Sequence, residues 1–120
     1  VTGTIWPREI VLNRAERVLR VDFEDGSSFA LPAEYLRVES PSAEVRGHSA
    51  AERRTVGGKR LVGISAVEPV GNYAARLIFD DGHATGIYSW SYLYELGRER
   101  ETRWAVYLAD LTAKGLRRDA

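Results

Sequence analysis

The chain has 120 residues, 44% of them hydrophobic, and its 17 basic residues balance its 17 acidic ones. That length suits one domain with a modest core, and the cancelled charge supplies no global field to draw the protein onto nucleic acid or anionic lipid. The absence of cysteine excludes disulfides, thiolate metal sites, protein-ligated iron–sulfur centres and cysteine nucleophiles.

Taken in chain order, Val1 to Pro7 reads as a loose lead with Trp6 pinning it to the body. Glu9 to Leu12 has the character of a short strand, and Asn13-Arg14 of a turn. Leu19, Val21 and Phe23 then alternate with polar neighbours, Asp25-Gly26 turns, and Phe29 and Leu31 return. Asp-Gly between alternating apolar runs predicts a hairpin, with Gly taking the positive φ of a tight primed turn. Pro32 stands where a helix can start, because its missing N–H is an orphan there anyway, and Ala33 to Arg37 gives little more than one turn. Ser40-Pro41 repeats the start signal for a second short helix that ends near Gly47. From His48 to Lys59 the chain is polar and without period, which predicts a mobile loop.

Order resumes with a strand over Leu61 to Val70, a Gly71-Asn72 turn, and a return over Tyr73 to Phe79. The tetrad Phe79-Asp80-Asp81-Gly82 repeats Phe23-Glu24-Asp25-Gly26, so the chain divides into two hairpin-then-helix units. Ser89 caps the second helix, Leu93 and Leu96 face inward, and Gly97 marks its end. Trp104, Tyr107, Leu108 and Leu111 form one apolar stripe on a last helix that Gly115 stops. These elements predict an α+β fold: an antiparallel sheet built from two hairpin-plus-helix units with a C-terminal helix packed on it. One domain spans 1–120, with its core over about 10–111. No window approaches the roughly 20 apolar residues of a membrane span and no signal segment opens the chain, so a cytoplasmic protein is expected. The first residue, Val1, is read as the mark of a trimmed N-terminus or of a piece of a longer polypeptide.

Few residues offer chemistry. His48 and His83 lack a carboxylate two positions on, which disfavours a self-contained iron oxygenase. His83 follows Asp81-Gly82 at a hairpin tip, where a carboxylate could orient its imidazole; the plainer reading is a surface turn histidine bonded to backbone, and it is preferred. Turn chemistry accounts for the acidic pairs Glu24-Asp25 and Asp80-Asp81. Neither a Gly-x-Ser-x-Gly elbow nor a phosphate-binding Gly-rich loop is present. Arg46, Arg53, Arg54, Lys59 and Arg60 make a local basic run that could touch phosphates, but a solvated loop is the commoner role of such a segment. Tyr88, Trp90, Tyr92 and Tyr94 are dense enough to supply contact hot spots, although core packing takes the larger share.

Leu31-Pro32-Ala33-Glu34-Tyr35-Leu36-Arg37, Ser40-Pro41-Ser42-Ala43-Glu44, Val70-Gly71-Asn72-Tyr73-Ala74, Phe79-Asp80-Asp81-Gly82-His83 and Gly86-Ile87-Tyr88-Ser89-Trp90 with Tyr92-Leu93 together resemble the gamma-butyrobetaine hydroxylase-like N-terminal domain family. The resemblance covers roughly Ile10 to Leu111 and implies one of three settings: a small stand-alone bacterial protein, the domain ahead of a catalytic oxygenase barrel, or a fusion to Mrp-type P-loop ATPases that carry iron–sulfur clusters. It also implies that oxygenase relatives bind a structural zinc through Cys-Pro-Cys-x-x-Cys and a later His. Here Ser40, Ser42 and Val45 take the cysteine places and His83 the histidine place, so no metal or cofactor is expected. The expected function is a non-catalytic protein-interaction module linked to iron–sulfur cluster or iron-enzyme maturation. Its partner is expected to be a protein such as an Mrp-type carrier, with candidate contact residues Arg37, Asn72, His83, Tyr88 and Trp90. Two alternatives stand beside it: a metal-binding accessory domain using His83 with Asp81, and a weak nucleic-acid binder acting through 46–60.

Overall fold

The computed structural model describes residues 5–42 and 55–119. In the first unit strands β1 (Pro7–Asn13), β2 (Val18–Phe23) and β3 (Ser28–Pro32) lead into helix α1 (Ala33–Val38). The second unit repeats this with β4 (Ile64–Val70), β5 (Ala74–Phe79) and β6 (Ile87–Ser89) ahead of α2 (Trp90–Arg98), and α3 (Arg100–Ala113) follows. Each unit holds its own three-stranded antiparallel sheet, in the orders β1-β2-β3 and β4-β5-β6. The α+β class expected from the sequence is thus the one observed, with the strands divided between two sheets. Cross-strand register explains the shared core: Leu19 faces Leu31 and Val21 faces Phe29 in one sheet, while Ala75 faces Tyr88 in the other. Leu19, Val21, Leu31, Leu36, Leu77, Phe79, Leu93 and Leu96 join one apolar cluster contributed by both units.

Both Asp-Gly hairpins form, but their turn type differs from the primed one expected. Gly26 N–H donates to the Phe23 carbonyl at 3.1 Å and Gly82 N–H to that of Phe79 at 3.2 Å. Both glycines have φ of +92°, whereas the residues before them keep negative φ. A type I turn closed by Gly in the left-handed region gives a three-residue loop, the next commonest hairpin connection. Asp25 and Asp81 each accept the N–H two residues on, at 2.9 and 3.0 Å, which is the turn role foreseen for them.

Other boundaries moved for tertiary reasons. Pro32 is the N-cap of α1 rather than its first helical residue. β4 begins at Ile64, because the preceding Leu61 lies in a turn and is 70% exposed. Ser89 caps α2 as expected, its Oγ accepting the Tyr92 N–H at 3.1 Å. Gly97 does not end that helix, which continues to Arg98; the glycine makes room for an aromatic ring. A Cβ at Gly97 would lie 2.3 Å from Cγ of Phe29 and 2.5 and 2.7 Å from its two Cδ atoms. The helix expected from Ser40-Pro41 and the loop from His48 to Arg54 fall on residues 43–54 or run into them, outside the described residues.

Helix α3 buries Tyr107 and Leu111 but leaves Leu108 38% exposed, so its apolar stripe is narrower than the pattern suggested. Arg103 ties it to the body, with Nη1 on Glu39 at 3.0 Å, Nη2 on Glu95 at 3.0 Å and Nε on Glu99 at 2.9 Å. Gly115, at φ +67°, terminates it: Leu116 N–H returns to the Leu111 carbonyl at 2.8 Å and Gly115 N–H to Thr112 at 3.2 Å. This is the paired Schellman closure. Among the described residues no helix is long and apolar enough to cross a membrane.

Replacing Gly97 by Ala forces Phe29 to move out of a filled site and should cost about 1–3 kcal/mol of unfolding free energy in urea titration. The double change Gly97→Ala with Phe29→Ala should recover part of the Gly97→Ala penalty relative to Phe29→Ala alone, because the methyl then meets no ring.

Candidate functional site

The polar residues singled out in the sequence converge where the end of α1 meets the β5–β6 turn. Arg37 Nε donates to Asp81 Oδ2 at 2.8 Å, and Lys59 Nζ reaches the same oxygen at 2.6 Å. The other oxygen of Asp81 accepts the His83 N–H. The His83 ring turns the opposite way, placing Nε2 2.9 Å from Ser40 Oγ. Ser40 Oγ also accepts the Ser42 N–H at 3.3 Å, and Thr85 Oγ1 donates to Ser42 Oγ at 3.0 Å. Gly86 permits this approach, since a Cβ there would stand 2.5 Å from Ser40 Oγ. Burial pulls the Asp81 pKa upward, yet hydrogen bonds from Lys59, the His83 N–H and Arg37 outweigh it and hold the carboxyl at about 2.

Three tyrosine hydroxyls bind the two units across the same boundary. Tyr35 donates to the Leu96 carbonyl at 2.7 Å, Tyr92 to the Glu39 carbonyl at 2.5 Å, and Tyr88 to the Leu36 carbonyl. Each carbonyl belongs to the C-terminal end of a helix, where backbone oxygens lack intrahelical partners. Tyr35 and Tyr92 occupy matching places in Tyr-Leu pairs, and Glu39 and Leu96 each lie four residues beyond them, so the exchange is reciprocal. Burial raises the pKa of Tyr35 and of Tyr88, keeping both phenols protonated as donors.

The resemblance placed Ser40, Ser42, Val45 and His83 at zinc-ligand positions. Ser40, Ser42 and His83 do come together, and Val45 lies outside the described residues. One imidazole and two hydroxyls make an unsuitable donor set for tetrahedral zinc. Hydrogen bonds now span the space between the ligand positions. Nor do any three His, Cys, Asp or Glu side chains assemble as a metal-binding group among the described residues.

His83 departs from both readings given to it. It is 6% exposed rather than at the surface, and its imidazole meets a serine hydroxyl while Asp81 takes only its backbone N–H. Of the candidate contact residues, Arg37, His83 and Tyr88 share this boundary and are buried. Trp90 lies by the β4–β5 turn, its indole N–H donating to the Asn72 carbonyl at 2.9 Å. It is only 8% exposed, so it packs in the core, and Asn72 alone of the five is exposed. The five therefore do not form one open face. Lys59 was read only as part of a basic run, and its engagement with Asp81 was missed; nothing local in the sequence signals a pairing across that distance. Arg60, its neighbour in that run, faces Asp119 at 3.4 Å, and Arg46, Arg53 and Arg54 lie outside the described residues.

Because the Asp81 pKa drops from 3.8 to about 2 on folding, its contribution is complete above pH 4 and vanishes as the pH falls through 2. Asp81→Asn, which retains the turn oxygen, should lose on the order of 2 kcal/mol at pH 7, and its deficit against the wild type should close between about pH 4 and pH 2 in denaturant titrations. Ser40→Ala removes the hydroxyl bonded to His83 Nε2 and should cost about 1 kcal/mol by the same measurement.

Comparison with known proteins agrees with this architecture. The sequence model of the family described as gamma-butyrobetaine hydroxylase-like, N-terminal, matches residues 10–94. No curated protein matches the chain significantly. One protein solved by NMR in solution is 46% identical over 98% of this chain and 92% of its own, with a TM-score of 0.85. A second NMR structure is 45% identical over 98% of this chain and 87% of its own, at a TM-score of 0.84. A crystal structure of a DUF971-family protein of unknown function from Acidithiobacillus ferrooxidans is 43% identical over 76% of this chain and 91% of its own, at 0.65. With a family match over most of its length and close structural relatives, the chain belongs to the gamma-butyrobetaine hydroxylase-like N-terminal domain family.

Proposed function

We propose that this domain is a non-catalytic protein-interaction module that serves iron–sulfur cluster or iron-enzyme maturation, with an Mrp-type P-loop iron–sulfur carrier as its partner. The observation that carries the reading is how the reactive-looking groups are used. Asp81 is held by Arg37 and Lys59, and the His83 ring by Ser40, in contacts that join one unit to the other. Groups committed to structure in this way are poorly placed to exchange protons with a substrate. The choice of partner rests on the family resemblance, in which the same domain is joined to cluster-carrying ATPases.

The contact surface that suits this role is the end of the second sheet at Asn72. Tyr73, whose carbonyl accepts the Trp90 N–H, is 55% exposed, and Ile87, paired with Arg76 across β5 and β6, is 44% exposed. Aromatic and branched apolar residues ringed by polar neighbours are the usual composition of a contact core.

Calorimetric titration of the purified chain into a cluster-loaded Mrp-type carrier should give a saturable complex. Tyr73→Ser and Ile87→Thr should each weaken it on the order of tenfold, while their melting curves stay within about 0.5 kcal/mol of the wild type. Absence of any complex would overturn the partner, and full affinity in both variants would overturn the surface.

A further inference from the structure

A second feature lies at the start of α1. Pro32, Tyr35, Trp104 and Leu108 line a cleft of about 440 Å³ between the start of α1 and α3, with Glu34 and Arg118 among its lining residues. Glu34 is the unusual member: its residue is only 6% exposed, although a carboxylate so placed requires a partner. That partner arrives from the C-terminal tail. Arg118 donates Nε to Glu34 Oε2 at 2.9 Å and Nη2 to Oε1 at 2.7 Å, and its guanidinium lies 5.2 Å from the centre of the Trp104 ring. A planar fork on a buried carboxylate, stacked on an indole, is selective for guanidinium over ammonium because only the former supplies two parallel N–H donors.

The tail lies against residues 58–60 and bends at Arg118. Arg117 and Arg118 offer their carbonyls to the N–H groups of Gly58 and Arg60 at 2.8 and 3.0 Å. It leaves α3 at Gly115, within the Schellman closure, and the Arg118 side chain is 39% exposed. The segment thus combines two backbone hydrogen bonds with one anchoring arginine.

We propose that this cleft is an arginine-recognition site that the chain fills in cis with Arg118, and that a partner protein occupies it by laying an arginine-bearing segment along residues 58–60 in place of the tail. Charge complementarity commits the occupant: Glu34 requires a cation, the fork geometry requires a guanidinium, and the N–H groups of Gly58 and Arg60 require the backbone carbonyls of a peptide segment. The inference refines the interaction role proposed above by stating the chemistry of a partner segment, and it concerns a different surface from Tyr73 and Ile87.

The test uses the full chain carrying Arg118→Ala. Removal of the guanidinium strands the Glu34 carboxylate, so the variant should melt on the order of 5 °C below the wild type. A capped peptide copying Leu116 to Asp119, added at millimolar concentration, should restore that loss, and its analogue with lysine at the third position should do so on the order of tenfold less well. Adding Glu34→Gln to Arg118→Ala should recover stability without peptide and abolish the peptide response. Unchanged melting in Arg118→Ala, equal rescue by both peptides, or rescue that persists in the double variant would each overturn the site. Wild-type chain that self-associates in sedimentation, with Arg118→Ala monomeric, would assign the cleft to the tail of a second copy and overturn the partner. Because no cluster carrier enters these measurements, their failure leaves the carrier titration to be judged on its own result.

Discussion

Short helices depend on their surroundings for the backbone groups they cannot satisfy, and here each unit supplies what the other lacks. Helix α1 has six residues, so almost every carbonyl it contains lies within an unsatisfied end. Tyr88 and Tyr92 of the second unit meet two of these oxygens, and Tyr35 of the first meets the corresponding end of α2. Each phenol brings a large apolar ring to the core with a donor at its tip, which lets one residue fill the space between units and satisfy a distant carbonyl. Once those bonds fix the spacing of α1 and α2, the position of every neighbouring group follows, including the salt-bridged corner at Asp81 and the cleft under α3.

That dependence also explains why the zinc-ligand positions can carry serines. The Ser40, Ser42, Thr85 and His83 chain of hydrogen bonds occupies a place already framed by Tyr88 on one side and the Arg37–Asp81 pair on the other. A metal that crosslinks two segments adds most where little else joins them. In this chain the phenols, the arginine–aspartate pair and one continuous apolar cluster already join them.

The parts of the fold that local chemistry decides were legible in the sequence. Asp25-Gly26 and Asp81-Gly82 announced their hairpins, Ser89 its cap and Gly115 the end of α3, because each acts on backbone within a few residues of itself. Gly97 was misread for the opposite reason: its lack of a side chain serves Phe29, which is distant in sequence. The same holds for the site. Arg37 and Asp81 stand 44 positions apart, and Glu34 and Arg118 stand 84 apart. No periodicity or spacing rule reports such pairs. The repeat did carry tertiary information, since matching Tyr-Leu pairs foreshadowed matching roles, but only the assembled units show that the roles are exchanged.

The exchange between Tyr35 and Tyr92 has an architectural corollary. A surface that gives its twin the same bond it receives is self-complementary, which is the property that lets identical subunits close around a two-fold axis. This chain holds that reciprocity within one polypeptide, where the two halves are free to differ. Ser40 of the first half meets His83 of the second, while Arg118 reaches Glu34 from the segment that follows the second half alone. Two identical subunits could not have specialised their ends separately.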